Sequence, residues 1–192
     1  SITTLNLARN RLTAVSVELG SCFSLRVIDF SGCGSITALP ESMGQLSALA
    51  VLKIASTKIR ELPNSFSTLC ALQELDCSET NLSFIPPFIG CWVSLVRLSI
   101  VACPISTLPW ALGTLENINF IDVDRCPLEE PPQDVASSGG EAVLRYLRNI
   151  AAAAASGTLA MERMNLAFIP PSVLKVSTLR VLSLSKNQLE EF

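Results

Sequence analysis

Residues 72–115 read LQELDCSETNLSFIPPFIGCWVSLVRLSIVACPISTLPWALGTL, and one apolar pattern occurs twice within them. The first copy begins at Leu72 and the second at Leu95. Each copy reads LxxLxL, two further residues, a small or amide residue, and then xLxxLP, with other apolar residues or cysteine replacing some leucines. A pattern that recurs at this period predicts a fold made by stacking equivalent units.

The same unit can be followed along most of the chain. Six copies begin at Ile2, Leu25, Leu49, Leu72, Leu95 and Ile118, so the period is about 23 residues, with one slightly longer step from Leu25 to Leu49. The pattern is then interrupted and returns with a degenerate copy at Ser156 and a clear one at Leu179. Because the step from Ile118 to Ser156 exceeds one period, the interruption is one unit plus an insertion of about 15 residues. The sequence therefore predicts eight units, the first and last incomplete.

Elementary strand geometry explains the pattern. Alternate side chains of a strand point to one side, so each LxL triplet sends its apolar residues inward and the residues between them outward. No unit buries its apolar face alone, so the units must stack with their strands in a parallel sheet. The small or amide residue should turn inward after each strand and satisfy backbone polar groups. These residues are Asn10, Cys33, Thr57, Thr80, Cys103, Cys126 and Asn187.

These residues resemble the leucine-rich-repeat family, and in particular its intracellular class of 23-residue units, as in Ras-pathway scaffolds and Roco-type proteins. The resemblance implies an α/β solenoid, a horseshoe with a concave parallel β-sheet that is used mostly for protein binding. We expect a single domain, with units one to six in residues 1–136, a helical insertion and linker in 137–155, and units seven and eight in 156–192. Both ends stop inside a unit, so we also expect a piece of a longer chain.

The insertion is predicted to contain one amphipathic helix, from about Gly139 to Ile150. Ser138 and Glu141 have the spacing of a capping box, and Glu141 and Arg145 that of an i to i+4 ion pair. The residues of the apolar face are Val143, Tyr146, Leu147 and Ile150. We expect this helix to dock on the convex side, with partner binding as the alternative, and residues 151–157 to form a linker.

Composition argues against several classes of function. The net charge is −3 and the basic residues do not cluster, so neither nucleic acid nor an anionic membrane surface is an expected partner. The most hydrophobic window, residues 91–105, contains Arg97 and Pro104, so no membrane insertion is expected. The chain has no histidine, no CxxC pair and no phosphate-binding loop. We therefore predict no metal, no cofactor, no small-molecule substrate and no enzymatic activity.

The cysteines bear on the compartment. Seven of them occur, an odd number, and most lie at repeat positions that take small buried side chains. They do not form the framework of a small secreted domain, so we expect them to be reduced and the protein to be cytoplasmic. The expected function is a non-catalytic scaffold, or a structural subunit of a larger intracellular assembly. The alternative is a regulatory segment of a larger signalling enzyme, such as a GTPase, kinase or cyclase, with its catalytic domain outside this sequence.

The predicted partner surface is the concave face. Outward residues of the strands and of the turns after them should vary without harming the fold, and they are Asn6, Arg9, Asp29, Lys53, Glu74, Asp76, Arg97, Phe120, Asp122 and Arg125. Asp29, Asp76 and Asp122 occupy one strand position, with Lys53 between the first two. This arrangement favours charge pairing on a solvated face over acid–base catalysis.

A second candidate surface follows the LP step. Most units place polar or small residues there, whereas units four and five place Phe88 and Trp110. Because equivalent positions on neighbouring units stack, we expect these rings to lie together on the rim or convex side. Two interpretations stay open: Trp110 packs locally over Phe88, or the two rings form a further partner surface.

Overall fold

The computed structural model describes residues 2–174 and 177–190. Each of the eight predicted units contributes one strand of three residues, centred on the LxL triplet. The strands are β1 (Thr4–Asn6), β2 (Val27–Asp29), β3 (Val51–Lys53), β4 (Glu74–Asp76), β5 (Arg97–Ser99), β6 (Phe120–Asp122), β7 (Thr158–Ala160) and β8 (Val181–Ser183). The predicted α/β solenoid with one strand per unit is thereby confirmed.

The strands pair in parallel, but they form two sheets. Strands β1 to β6 lie side by side in chain order, and β7 pairs with β8. The register places equivalent residues opposite each other, as in Leu75 against Leu98 and Asp76 against Ser99. A single sheet of eight strands, which the repeat count predicts, is therefore wrong, because the insertion separates β6 from β7.

The convex side of the first five units is made of short 3₁₀ helices. They are Val17–Ser21, Glu41–Gln45, Asn64–Thr68, Pro87–Cys91 and Trp110–Thr114. The proline of the LP step immediately precedes the last four, with extended backbone. Proline suits this position because its fixed φ costs little there and it has no N–H to leave unpaired.

The core runs between the strands and the 3₁₀ helices. The apolar residues at the repeat positions of units two to six are buried, whereas those of the first and last units are partly exposed. Phe66 and Trp92 are fully buried, and the indole N–H of Trp92 donates to the Phe66 carbonyl at 2.6 Å. Each of the seven residues predicted to turn inward donates a hydrogen bond to a backbone carbonyl, although Asn10, in the first unit, is exposed. Thr80 Oγ1 donates to the Cys77 carbonyl at 2.8 Å, Cys126 Sγ to the Ile100 carbonyl at 3.0 Å, and Asn187 Nδ2 to the Leu184 carbonyl at 2.8 Å.

A left-handed residue follows every strand at one fixed position. These residues are Arg9, Gly32, Ser56, Glu79, Ala102, Arg125, Arg163 and Lys186, with φ between 55° and 75°. Only the second unit uses glycine, and each other residue costs roughly 1–2 kcal/mol of backbone strain. Stacking offsets the strain where another unit follows directly, because the N–H of this residue then donates to that unit, as Ser56 does to Ser78 at 2.8 Å. Arg163 follows β7 at the same distance at which the left-handed residues follow the other strands.

Among the described residues there are three α-helices: α1 (Gln133–Ser137) and α2 (Gly140–Ser156) lie between β6 and β7, and α3 (Pro171–Leu174) lies between β7 and β8. Helix α2 corresponds to the predicted helix but continues past Ile150 through the alanine run, so the predicted linker is wrong. Alanine has the highest helix propensity, and Gly157, at φ 73°, ends the helix with its N–H on the Ala153 carbonyl at 2.9 Å.

The predicted start of α2 is also wrong in detail. Gly139 precedes the helix without a side-chain cap, and Ser138 Oγ donates instead to the Asp134 carbonyl at 2.9 Å. Within the described residues, Glu141 and Arg145 form no ion pair. The N-terminus of helix α2 therefore has no side-chain cap, and the helix packs on the solenoid through its apolar face.

Helix α2 fills the break between the sheets. Its predicted apolar face, with Val143, Tyr146, Leu147 and Ile150, is buried. It contacts β6, β7 and the 3₁₀ helix Trp110–Thr114, so it continues the convex row as well as patching it. Two side chains of the helix form hydrogen bonds to the units on either side of it. Arg148 Nη2 donates to the Ile118 carbonyl and Asn149 Nδ2 to the Ala160 carbonyl, each at 2.7 Å. Across residues 2–174 and 177–190, no helix is long and apolar enough to cross a membrane.

Candidate protein-binding surface

The six-stranded sheet presents two straight rows of outward side chains on its concave face. The first row is Thr4, Val27, Val51, Glu74, Arg97 and Phe120, and the second is Asn6, Asp29, Lys53, Asp76, Ser99 and Asp122. Neighbours in a row lie about 4.8 Å apart, the spacing of adjacent strands. The structure thus brings eight of the predicted concave residues together, and places Arg9 and Arg125 in the turns beside them.

Four of these residues shape the turn that follows their strand. Asn6, Asp29, Asp76 and Asp122 each accept, through Oδ1, the N–H of the residue two positions on, at 2.8–3.2 Å. This contact mimics a backbone turn and directs the chain toward the left-handed residue. The expectation that the concave residues vary without harm to the fold is therefore wrong for these four.

Charged side chains pair on this face, but the ion pair joins the two rows and does not form between residues of the second row. Lys53 lies in register between Asp29 and Asp76, yet its Nζ is 3.3 Å from Glu74 Oε1 on the next strand. Arg97 also leans toward the strand that follows its own, with its guanidinium carbon 4.0 Å from the ring centroid of Phe120. The pair at Lys53 is partly exposed and contributes at most about 1 kcal/mol to stability.

A depression opens where Glu74 and Arg97 lean apart. Its volume is about 200 Å³, and we call it the concave basin, lined by Glu74, Leu75, Asp76, Arg97, Ser99, Phe120 and Asp122. The hydroxyls of Ser78 and Ser99 share a hydrogen bond of 2.8 Å beside its floor. Among the described residues, no group of three or more metal-ligating side chains is placed to hold an ion. The basin has the chemistry of a recognition surface, with three carboxylates, one guanidinium and one aromatic ring.

The turn residues beside the sheet form their own contacts, which sequence reasoning missed. Glu79 accepts a hydrogen bond from Ser56 Oγ at 2.9 Å, and its other oxygen is 3.5 Å from Arg125 Nη2. Arg125 therefore reaches past the small Ala102 to a residue two units away. The repeat positions could have indicated this pair, because Glu79, Ala102 and Arg125 occupy the same position in consecutive units.

The predicted contact between Phe88 and Trp110 is wrong. The ring that Phe88 contacts is Trp92, edge to face, with centroids 5.9 Å apart. Trp92 belongs to the core, so Phe88 is drawn toward its own unit, whereas Trp110 is left 55% exposed. Phe84 was not among the residues predicted to form a partner surface. Its side chain is 45% exposed and lines a depression of about 260 Å³ with Phe88 and Glu61.

The buried cysteines are shielded residues of the repeat core. Burial, and then the neighbouring Cys103, raise the pKa of the Cys77 thiol well above its ordinary value, and burial raises the pKa of Cys126 to about 11. A thiol in this state is a poor nucleophile at neutral pH. The described cysteines are free, with Cys70 and Cys91 exposed.

Solved structures with this architecture come from several sources. The leucine-rich-repeat ectodomain of the receptor kinase SOBIR1 from Arabidopsis thaliana is 25% identical, with a TM-score of 0.55 over 60% of this chain and 66% of that one. A TDR receptor is 22% identical, with a TM-score of 0.61 over 66% of this chain and 23% of that one. Internalin C2 from Listeria monocytogenes is 21% identical, with a TM-score of 0.60 over 67% of this chain and 54% of that one.

The last two likenesses show the fold alone, and the chain spans less than two thirds of each of the three proteins. No curated protein has a significantly similar sequence. The model of the family described as leucine-rich repeat region matches residues 4–152, most of the chain. That match agrees with the 23-residue units, the parallel strands and the 3₁₀ helices described above. The chain belongs to the leucine-rich-repeat family.

Proposed function

We propose that this chain is a non-catalytic protein-binding module whose partner lies along the concave face of strands β1 to β6. The family to which it belongs is one of protein-interaction repeats, which supports binding in general. The observation that carries the choice of surface is the pair of outward rows, held in register by a buried core. A rigid and continuous surface of this kind lowers the entropic cost of ordering an interface on binding.

The composition of the rows supports the same surface. Val27 and Val51 give it an apolar side, and Arg97 with Phe120 supply residue types that often dominate binding energy. The ion pair of Lys53 with Glu74 lies between the two valines on one side and Arg97 with Phe120 on the other. A partner would thus meet apolar contact area next to oriented charges, the combination that gives both affinity and specificity.

In the cell, the module would act as a scaffold or as a structural subunit of a larger intracellular assembly, in the cytoplasm. The free cysteines support a reducing compartment. The second candidate is a regulatory segment of a larger signalling enzyme. One observation favours it: the structure at 25% identity is the ectodomain of a receptor kinase, a protein that joins such repeats to a catalytic domain.

The test is affinity capture with quantitative mass spectrometry, using cells of the source organism and two matched double variants. Lys53→Glu with Arg97→Glu reverses two concave charges, whereas Lys58→Glu with Arg60→Glu makes the same charge change at positions outside the two rows. We expect partners to be lost from the concave variant and kept by the control, with melting temperatures within a few degrees of the wild type. Partners that survive the concave substitutions would place the interface elsewhere.

A further inference from the structure

We infer that the concave basin receives a basic side chain, lysine or arginine, from an extended partner segment that also carries an apolar residue over Val27 and Val51. This inference rests on the proposed function and adds the chemistry of the partner. Its starting point is the second outward row, which reads Asp29, Lys53, Asp76, Ser99 and Asp122 along β2 to β6.

The row contains two gaps between aspartates, and the chain fills only one of them. Between Asp29 and Asp76 stands Lys53, a cationic residue of the chain itself, whose ammonium group pairs with Glu74 of the first row. Between Asp76 and Asp122 stands Ser99, whose short side chain leaves the volume of about 200 Å³ that forms the basin. The Ser99 hydroxyl is bonded to Ser78 and adds no charge. The second gap has the size and the flanking carboxylates for a cation from outside.

The local charges favour a cation over an anion. Three carboxylates, those of Glu74, Asp76 and Asp122, line the basin against one guanidinium, that of Arg97. Arg97 stacks on Phe120, and Lys53 lies on the far side of Glu74. Both aspartates use Oδ1 for their turn hydrogen bonds, so a carboxylate oxygen of each is available to a donor. A lysine or arginine side chain can donate to either carboxylate and is attracted by both, and hydrogen bonds between charged groups are stronger than neutral ones.

The apolar side of the surface fixes the spacing of the partner's residues. Three members of the first row are apolar and half-buried: Val27 on β2, Val51 on β3, and Phe120, which belongs to the basin itself. The apolar side away from the basin is therefore Val27 and Val51, whereas Ser99 is on β5. The separation is two to three strand spacings, or roughly 10–14 Å. An extended segment that crosses the strands advances about 3.3 Å per residue. The expected partner therefore carries lysine or arginine about three or four residues away from an apolar residue.

The test is selection of random 12-residue peptides on phage, with subtraction against a charge-removed variant. Phage that bind Asp76→Asn with Asp122→Asn are discarded, and the remainder are selected on the wild-type chain. Asparagine keeps the turn hydrogen bond, as Asn6 does at the same position in the first unit, so the variant loses charge without losing the turn. Circular dichroism and melting verify that it folds.

A second variant places a lysine of the chain itself in the gap between Asp76 and Asp122. Ser99→Lys imitates Lys53 and should weaken the selected peptides about tenfold or more by fluorescence anisotropy. Ala160→Lys adds the same side chain at the equivalent position of β7, in the other sheet, and should leave their affinity unchanged. If Ser99→Lys fails to fold, the comparison of wild type with the asparagine variant still gives the answer.

The inference predicts that the subtracted pool is enriched in lysine or arginine with an apolar residue three or four positions away. An empty pool, an acidic pool, or peptides indifferent to Ser99→Lys would overturn it. Peptides selected without subtraction separate the two proposals. If their binding is lost in Val27→Arg with Val51→Arg, which obstructs the concave face and repels a basic segment, while the basin fails these tests, the concave face stands and only the basic side chain is wrong. If they bind that variant normally, both proposals fail.

Discussion

Substitution of Gly113 by alanine tests the packing of helix α2 on the repeats. A Cβ atom at Gly113 would lie 2.2 Å from the Leu147 carbonyl oxygen, 2.4 Å from its carbon and 2.7 Å from Arg148 N. All three are backbone atoms, so no side chain can rotate away. To restore ordinary contact, the helix must shift by about 1 Å, which disturbs its buried apolar face and its hydrogen bonds to Ile118 and Ala160.

The magnitude follows from competing terms. Alanine in place of glycine stabilises by about 0.4–1 kcal/mol where the backbone conformation is compatible, whereas overpacking a closed site costs about 1–3 kcal/mol or more. Since the clash involves three backbone atoms, we expect a net loss of about 2 kcal/mol. For a chain of this size, that lowers the melting temperature by roughly 4–8 °C.

A matched substitution provides the control. Gly90 occupies the equivalent 3₁₀ helix of the preceding unit, and a Cβ there would be 3.4 Å from the Ala111 Cβ, an ordinary contact. Gly90→Ala should therefore be neutral or slightly stabilising. The assay is thermal melting followed by circular dichroism and by calorimetry. Equal melting temperatures for Gly113→Ala and Gly90→Ala would refute the close packing of α2 against the fifth unit.

Further predictions concern the core, the turns, the cysteines and the exposed tryptophan. Leu98→Asp should unfold at least the central units, because it buries an unpaired charge, and an unchanged melting curve would remove Leu98 from the core. Asp76→Ala should cost about 1 kcal/mol more than Asp76→Asn in chemical denaturation, because only asparagine keeps the turn hydrogen bond; equal losses would argue against the turn role. Cys126 has its pKa raised from 9.0 to about 11, so its contribution to stability is complete below pH 9 and declines between pH 9 and 11; denaturation curves across this window should show the decline, and a rise would contradict the burial. Trp110→Ser should leave the melting temperature nearly unchanged, because the side chain is largely exposed; a large drop would reveal hidden packing, and lost partner capture would make it part of a second interface.

The repeat period made most of the fold predictable. Apolar residues at fixed positions define the units, so each strand and the inward-turning residues such as Thr80 and Asn187 could be read from spacing alone. The left-handed residue after each strand could not, because Arg9, Glu79 and Ala102 share no chemical signature. Their conformation is imposed by hydrogen bonds to the next unit, a property of the stack.

The insertion and the binding surface were predictable only in part. Spacing showed that α2 would have a buried face, but not that it would separate β6 from β7, because that depends on which surfaces are left open by the fifth and sixth units. Positions alone placed Lys53 among the aspartates, whereas side-chain reach decided that it pairs with Glu74. In the same way, Phe88 turned to the core residue Trp92 and away from Trp110.

The most direct test of concave-face binding uses a photo-crosslinking amino acid at two aromatic positions. p-Benzoylphenylalanine replaces Phe120, which lies on the concave sheet, or Trp110, which is exposed on a convex 3₁₀ helix, and each variant is irradiated with the partner found by affinity capture. The account predicts a covalent adduct from position 120 and none from position 110. An adduct from position 110 alone would contradict it.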